Sequence, residues 1–183
     1  VKKKSNNLVS EFALYSCIQN RIFSHLLVHT SAAKEYVSNI CSCTTPVTVV
    51  PEPSTVDDSP FSKQVARQQI GINTREPTLL FFGGLRYEKG INQLLQAMEY
   101  YNGPHFTLLI AGPENGVTKQ DLQELKDSIS PSLSMNIGYI YDSEKYFIAA
   151  DGVLCPYLDK FGSERTSHVF QEAIRLNRPV IAP

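Results

Sequence analysis

Residues 78–112 read TLLFFGGLRYEKGINQLLQAMEYYNGPHFTLLIAG. The apolar run from Thr78 to Phe82 is strand-sized, and Gly83 and Gly84 break it at once. Ile91, Leu94, Leu95 and Met98 then recur at i, i+3, i+4 and i+7, the spacing that gives a helix one apolar face. Gly103 follows as a stop signal, and FTLLIAG supplies a second strand. Strand, glycine turn, amphipathic helix and strand make a βαβ unit, which predicts an α/β fold with a parallel sheet.

The alternation continues downstream through DLQELKDSI, MNIGYI, SEKYFIAA, GVLCPY, SHVFQEAIRL and PVIA. The last helix places Val169, Phe170, Ala173, Ile174 and Leu176 on one side. It ends at Asn177, a residue that tolerates the left-handed conformation of a helix C-terminus. Upstream the pattern is thinner. Helices are expected over Leu8 to Gln19 and Ala32 to Ser38, and strands over Phe23 to Val28 and Val47 to Val50. PEPSTVDDSP, residues 51–60, carries three prolines and three acids and reads as a linker. A boundary between Val56 and Pro60 divides the chain into residues 1–57 and 58–183. Residues 61–70 read as a short helix entering the second part, and GINTREPT as a turn.

Composition narrows the function classes. Of 183 residues, 42% are hydrophobic and 19% charged, and 17 Lys+Arg against 18 Asp+Glu leave a net charge of -1. Such a chain has no global field to attract nucleic acid. No apolar run approaches the roughly 18 to 20 residues that span a bilayer. Val1 opens the chain without a signal-peptide layout and Pro183 follows a strand-like run; a piece of a larger protein is expected. Cys17, Cys41, Cys43 and Cys155 have neither zinc-like nor disulfide-like spacing, although Cys41 and Cys43 sit close enough to chelate a metal. Reduced thiols of a cytoplasmic protein are the favoured reading.

Two stretches carry chemistry. In GGLRYEKG, Gly83 and Gly84 permit close backbone approach to a ligand, Arg86 and Lys89 supply cations, and a helix N-terminus follows. That combination suits an anion, while solvated charges in an ordinary turn are the plain alternative. In FGSERTSHVFQEA, Glu164 lies in a loop and Glu172 on a helix whose first turn holds Ser167 and His168, with Thr166 or Ser167 as its cap. Surface acids are the plain alternative there. Both stretches follow strand C-termini, where open α/β sheets bind ligands. Neither has a Ser-His-Asp or Cys-His layout or a metal-binding pattern of acids, so covalent acyl chemistry and a metal are not expected.

At these stretches the chain resembles the retaining glycosyltransferases of family 4, which have the GT-B fold of two Rossmann-like domains around a cleft. FFGGLRYEKGINQLLQA is similar to that family's phosphate-gripping strand, loop and helix. FTLLIAG and AADGVLCPY look like its following strands. Glu164 and Glu172 with Ala173 and PVIA are similar to its paired-glutamate motif, and VHTSAAKEYV with VTVVPEP looks like the end of its N-terminal domain. Here Arg86 comes two positions later than the family's usual loop arginine, Ser167 replaces a common glycine, and so does Asn177.

The resemblance implies a Rossmann-like parallel sheet with helices on both faces, residues 58–183 being a donor domain truncated at its C-terminus and residues 1–57 the remnant of an acceptor domain. It implies that Arg86 and Lys89 hold the diphosphate of a UDP- or GDP-sugar, with Gly83, Gly84, Thr166, Ser167 and His168 around it. Glu172 accepts from the ribose hydroxyls, Ile140 and its backbone flank the base, and Glu164 stands beside the sugar. Lys89, Arg86 and Glu164 are thus the catalytic candidates, with no cofactor. The acceptor is a saccharide or a lipid-linked group. Peripheral contact with the inner face of a membrane, through surface in the other domain, is left open. The fragment alone is expected to be inactive. A silent sugar-nucleotide or phosphate-binding module and a GT-B sugar-nucleotide epimerase are the competing functions.

Overall fold

The computed structural model describes residues 3–40, 45–51, 62–73, 75–126, 128–159, 161 and 166–183. They form two units, one of residues 3–51 with Thr166, the other of residues 62–161 and 167–183. The expected boundary at 56–60 lies outside the described residues, as do Cys41 and Cys43.

The first unit runs α1 (Lys3–Gln19), β1 (Leu26–Val28), α2 (Ser31–Ile40) and β2 (Val47–Val49). Thr30 starts α2 by accepting the Ala33 N–H at 3.0 Å. The strands pair in parallel, Leu26 opposite Val47 and Val28 opposite Val49. The expected strand from Phe23 begins only at Leu26, because its partner offers three residues. Ile18 and Val37 are the buried apolar residues at its centre, packed by Leu14, Leu26, Val28, Tyr36 and Val47.

The second unit begins with α3 (Lys63–Gln69), and its sheet strands are β3 (Thr78–Phe82), β4 (Thr107–Gly112), β5 (Ser132–Ile137), β6 (Gly152–Leu154) and β7 (Val180–Ile181). The connecting helices are α4 (Ile91–Glu99), α5 (Lys119–Leu125), α6 (Glu144–Ala149) and α7 (His168–Arg175). Every pairing is parallel, and the order is β5-β4-β3-β6-β7. Because β3 has β4 on one side and β6 on the other, the connections diverge between β3 and β6. Ligands of open α/β sheets bind at the C-terminal mouth of such a divergence.

Alternation along the strands builds both faces. Leu80, Leu109, Ala111 and Val153 join a core with Ala66 of α3, Phe147 of α6 and Ala173 of α7. Phe81, Leu108, Ile110 and Leu154 face the other way, into a core with Leu94 and Leu95 of α4 and Leu122 of α5. Helices thus cover both faces, which is why these strands read as continuous apolar runs. Strand β5, expected to begin at Met135, starts at Ser132; it is an edge strand, and exposed Ser132 and Asn136 disguise it. Helix α5 begins at Lys119, ahead of the expected Asp121, because Thr118 and Asp121 form a reciprocal capping box.

Helix α7 ends as expected. Asn177 has φ +53°, its N–H donates to the Ile174 carbonyl at 3.0 Å, and the Arg178 N–H donates to that of Ala173 at 2.8 Å. Those two bonds satisfy the last carbonyls of the helix before Pro179 restarts the extended chain.

Candidate functional site

After β3 the chain turns at Gly83, whose φ is +100°, and Leu85 plugs into the core with no exposure. A 3-10 turn, Tyr87–Lys89, follows and ends on left-handed Gly90. Lys89 is only 7% exposed. Its Nζ lies 3.5 Å from the Phe82 carbonyl, folded back over the turn. A Cβ at residue 83 would stand 2.5 Å from that Nζ and 3.8 Å from Val169 Cγ2. Glycine is favoured at 83 by its backbone, and a Cβ there would displace the Lys89 amine from its position. The same contacts place the Lys89 amine and the Val169 side chain, in the first turn of α7, within 4 Å of one point beside Gly83.

The turn is clamped from two sides. A Cβ at Gly90 would fall 1.7 Å from the Pro156 carbonyl oxygen, and one at Gly112 would fall 2.2 Å from that of Gly83. The Leu158 N–H donates to the Glu88 carbonyl at 3.2 Å. Three chain segments, after β3, β4 and β6, thus meet with no space for side chains between them.

Ser167, rather than Thr166, caps α7: its Oγ accepts the Phe170 N–H at 3.3 Å. Thr166 is half-buried and groups with the first unit. The N-terminus of α7 presents N–H groups that have no acceptor within the helix, together with the positive end of its dipole. His168 is exposed on that turn. Glu172, three residues after Val169, shares its side of the helix. Its carboxylate is gripped by Arg175, Nε at 3.1 Å and Nη2 at 2.8 Å, and Glu144 lies 4.0 Å from the same Nη2.

The remaining candidates separate. Arg86 turns to Glu88, Nη1 to Oε1 at 3.2 Å, with a third of its side chain exposed. A Cβ at residue 84 would make only ordinary contacts, with Arg86 and Asn115. Ile140 follows β5 and packs against the core shared by α3, α6 and α7. Its neighbours Tyr139 and Tyr141 are 74% and 93% exposed, with ring centroids 4.8 Å apart. Glu164 lies outside the described residues.

Nothing in the sequence pattern singles out Tyr157 or joins Cys155 to this site. Cys155 is fully buried at the end of β6; burial raises its pKa, with Tyr157 and the Lys89 charge opposing. Tyr157 holds Ser167, hydroxyl to Oγ at 2.7 Å, and burial likewise raises its pKa. Within GVLCPY both look like strand residues, and no pattern signals a bond between positions ten apart.

A cavity of about 630 Å³ opens at the other end of the sheet, lined by α3 and the turn after it, with Lys63, Arg67 and Arg75. Arg67 there donates to the carbonyls of Ala149 and Glu76, to Thr78 Oγ1 and to Asp151 Oδ2. Lys63 pairs with the other oxygen of Asp151, and the Thr78 N–H donates to Asp151 at 2.8 Å. These charges tie α3 to the starts of β3 and β6.

The family model of glycosyl transferases group 1 matches residues 62–183, two thirds of the chain and the whole of the second unit. The chain belongs to that family. The fold of this group 1 chain is that of solved glycosyltransferases. It is similar to Anabaena Alr3699/HepE, solved in complex with UDP-glucose, at 19% identity and a TM-score of 0.68, covering 94% of this chain and 49% of that one. It is similar to a glycosyltransferase from Rickettsia africae at 12% identity and a TM-score of 0.66, covering 87% and 44%. For WaaG, a glycosyltransferase involved in lipopolysaccharide biosynthesis, the values are 16%, 0.63, 86% and 43%. The chain therefore spans about half the length of these proteins or less. No curated protein sequence matches it. Among the described residues no helix is long and apolar enough to cross a membrane.

Proposed function

We propose that the protein is a family 4 glycosyltransferase that moves a sugar from a nucleotide-diphosphate sugar, UDP- or GDP-linked, to a saccharide or lipid-linked acceptor with retention of anomeric configuration. Residues 58–183 are its donor-binding domain and residues 1–57 the end of its acceptor domain with the linker. The observation that carries this reading is that the Lys89 amine and the Val169 side chain of the first α7 turn both lie within 4 Å of one point beside Gly83, after β3, where the connections diverge. A cation and a helix N-terminus facing one point suit a diphosphate.

Each residue then has a task. Lys89, held in a buried site where charge is weakly screened, stabilises the negative charge that grows on the diphosphate as the glycosidic bond breaks. Arg86 exchanges Glu88 for a phosphate oxygen. The α7 N–H groups near Ser167 and His168 complete the cradle. Glu172, oriented by Arg175, receives the ribose hydroxyls, and the backbone at Ile140 flanks the base. Glu164 orients the sugar and stabilises an oxocarbenium-like transition state. The family match supports the reaction class, and the UDP-glucose complex of the Anabaena protein supports the donor class.

The test is turnover by the intact protein with a panel of nucleotide sugars, reading the anomer of the product by NMR. A retained anomer, abolished by Glu164→Ala or Lys89→Ala, is expected. An inverted anomer contradicts retention; release of an epimer or free sugar without need of an acceptor identifies an epimerase; binding without turnover identifies a silent module.

A further inference from the structure

We infer that Tyr157 is a positioning residue for the diphosphate site, its hydroxyl holding the N-terminus of α7 in register with the turn that carries Lys89. The inference rests on the diphosphate reading given above.

The chain leaving β6 makes a tight bend, the Tyr157 N–H donating to the Cys155 carbonyl at 2.7 Å. On one side of the bend Pro156 abuts Gly90 so closely that no Cβ fits, and the Leu158 N–H reaches the Glu88 carbonyl at 3.2 Å. The backbone around Tyr157 is thus fixed to the residues immediately flanking Lys89. On the other side the Tyr157 ring rests on Phe161, centroids 4.1 Å apart, and its hydroxyl meets Ser167 Oγ at 2.7 Å. That same Oγ accepts the Phe170 N–H and so sets the first turn of α7. One phenol therefore connects both halves of the cradle through a chain of named bonds: Lys89 turn, bend, hydroxyl, cap, helix.

A side chain needed only to fill space would serve as well without its hydroxyl, and phenylalanine would do. Here the oxygen has a partner, and burial keeps the phenol protonated, so it contributes a neutral hydrogen bond rather than charge. A link of this kind matters most where geometry is demanding. A cradle for two phosphates loses affinity when its donors drift by a fraction of an ångström, whereas a nucleoside held elsewhere on the sheet edge does not notice.

The experiment is calorimetric titration of the intact protein with UDP and GDP and with the matching nucleosides. Tyr157→Phe is expected to weaken the tighter-binding diphosphate by about fivefold to tenfold, the range of one lost neutral hydrogen bond, while leaving the nucleoside nearly unchanged and lowering the melting temperature by no more than about 4 °C. Ser167→Ala should lose diphosphate affinity likewise and lower the melting temperature further, because the α7 cap goes with it, Ser167→Thr should restore most of both, and the double variant Tyr157→Phe with Ser167→Ala should bind no worse than the weaker-binding single. Wild-type diphosphate affinity in Tyr157→Phe, additive losses in the double variant, or equal loss of nucleoside and diphosphate would each overturn the inference. Lys89→Ala is the control for the reading beneath it. If the wild type binds neither diphosphate, or Lys89→Ala binds as well as wild type, the diphosphate site itself is wrong and the role of Tyr157 falls with it. If Lys89→Ala loses affinity and Tyr157→Phe does not, only the role of Tyr157 is wrong.

Discussion

The two ends of the five-stranded sheet use their cations differently. Where β3 and β6 begin, Arg67 and Lys63 converge on Asp151, and Arg67 reaches three further acceptors. Where the same strands end, Lys89 is folded over a glycine turn beside a helix N-terminus, in space kept open by the absence of a Cβ. Charge at one end organises the fold, and charge at the other serves, on the proposed reading, an anionic ligand. A cavity alone does not mark a site: the 630 Å³ cavity lies at the end where Arg67 and Lys63 are committed.

The largest effect separating the two ends should come from glycine. Gly90→Ala forces a Cβ onto the Pro156 carbonyl at a φ of +76° and is expected to cost about 3 kcal/mol or more. Gly71, next to α3 at the other end, has a similar φ of +75° but nothing within 4 Å of the added atom. Gly71→Ala should cost about 1 kcal/mol, from backbone strain alone. Chemical denaturation measures both, and equal losses would mean that the clamp around the Lys89 turn is loose.

Arg67→Ala should lower stability by about 2–3 kcal/mol, since it strands buried acceptors, and leave diphosphate affinity unchanged. Lys89→Ala should lose at least tenfold in diphosphate affinity, about 1.4 kcal/mol, where Arg67→Ala loses none. Finding that both variants lose diphosphate affinity equally would erase the distinction between the ends.

Asp151 gives the distinction a pH signature. Burial pushes its pKa up, but the Lys63 bond, the Thr78 N–H and the Lys63 and Arg67 charges outweigh it, and the carboxyl is held below its usual range. A depressed folded pKa stabilises the fold above the unfolded carboxyl value of about 3.9 and ceases to do so as pH falls through the folded value. Asp151→Asn should therefore be less stable than wild type at neutral pH, with the gap closing in acid below about pH 4. The smallest effect is at the far end of α7. Asn177→Gly relieves a left-handed asparagine and should stabilise by about 0.5 kcal/mol without altering affinity.

How much of this could be read from sequence follows from burial. Strands covered on both faces, β3, β4 and β6, announce themselves as apolar runs. Edge strand β5 hides behind Ser132 and Asn136, and in the first unit the strand expected from Phe23 is cut to the length of its partner. Gly83, Lys89 and the α7 cap were legible because a glycine turn and a helix start are local patterns. The bidentate hold of Arg175 on Glu172 is equally local, at i and i+3, yet that spacing is common on helices and signals no function. The Tyr157 to Ser167 bond joins positions ten apart on different elements, which no local pattern encodes.

Hydrogen–deuterium exchange of the intact protein, with and without saturating UDP or GDP, tests the central claim most directly. The account predicts slowed exchange in residues 83–90 and 167–172, lost in Lys89→Ala, and no change in residues 63–75. Protection confined to residues 63–75, or protection at 83–90 that survives Lys89→Ala, would contradict it.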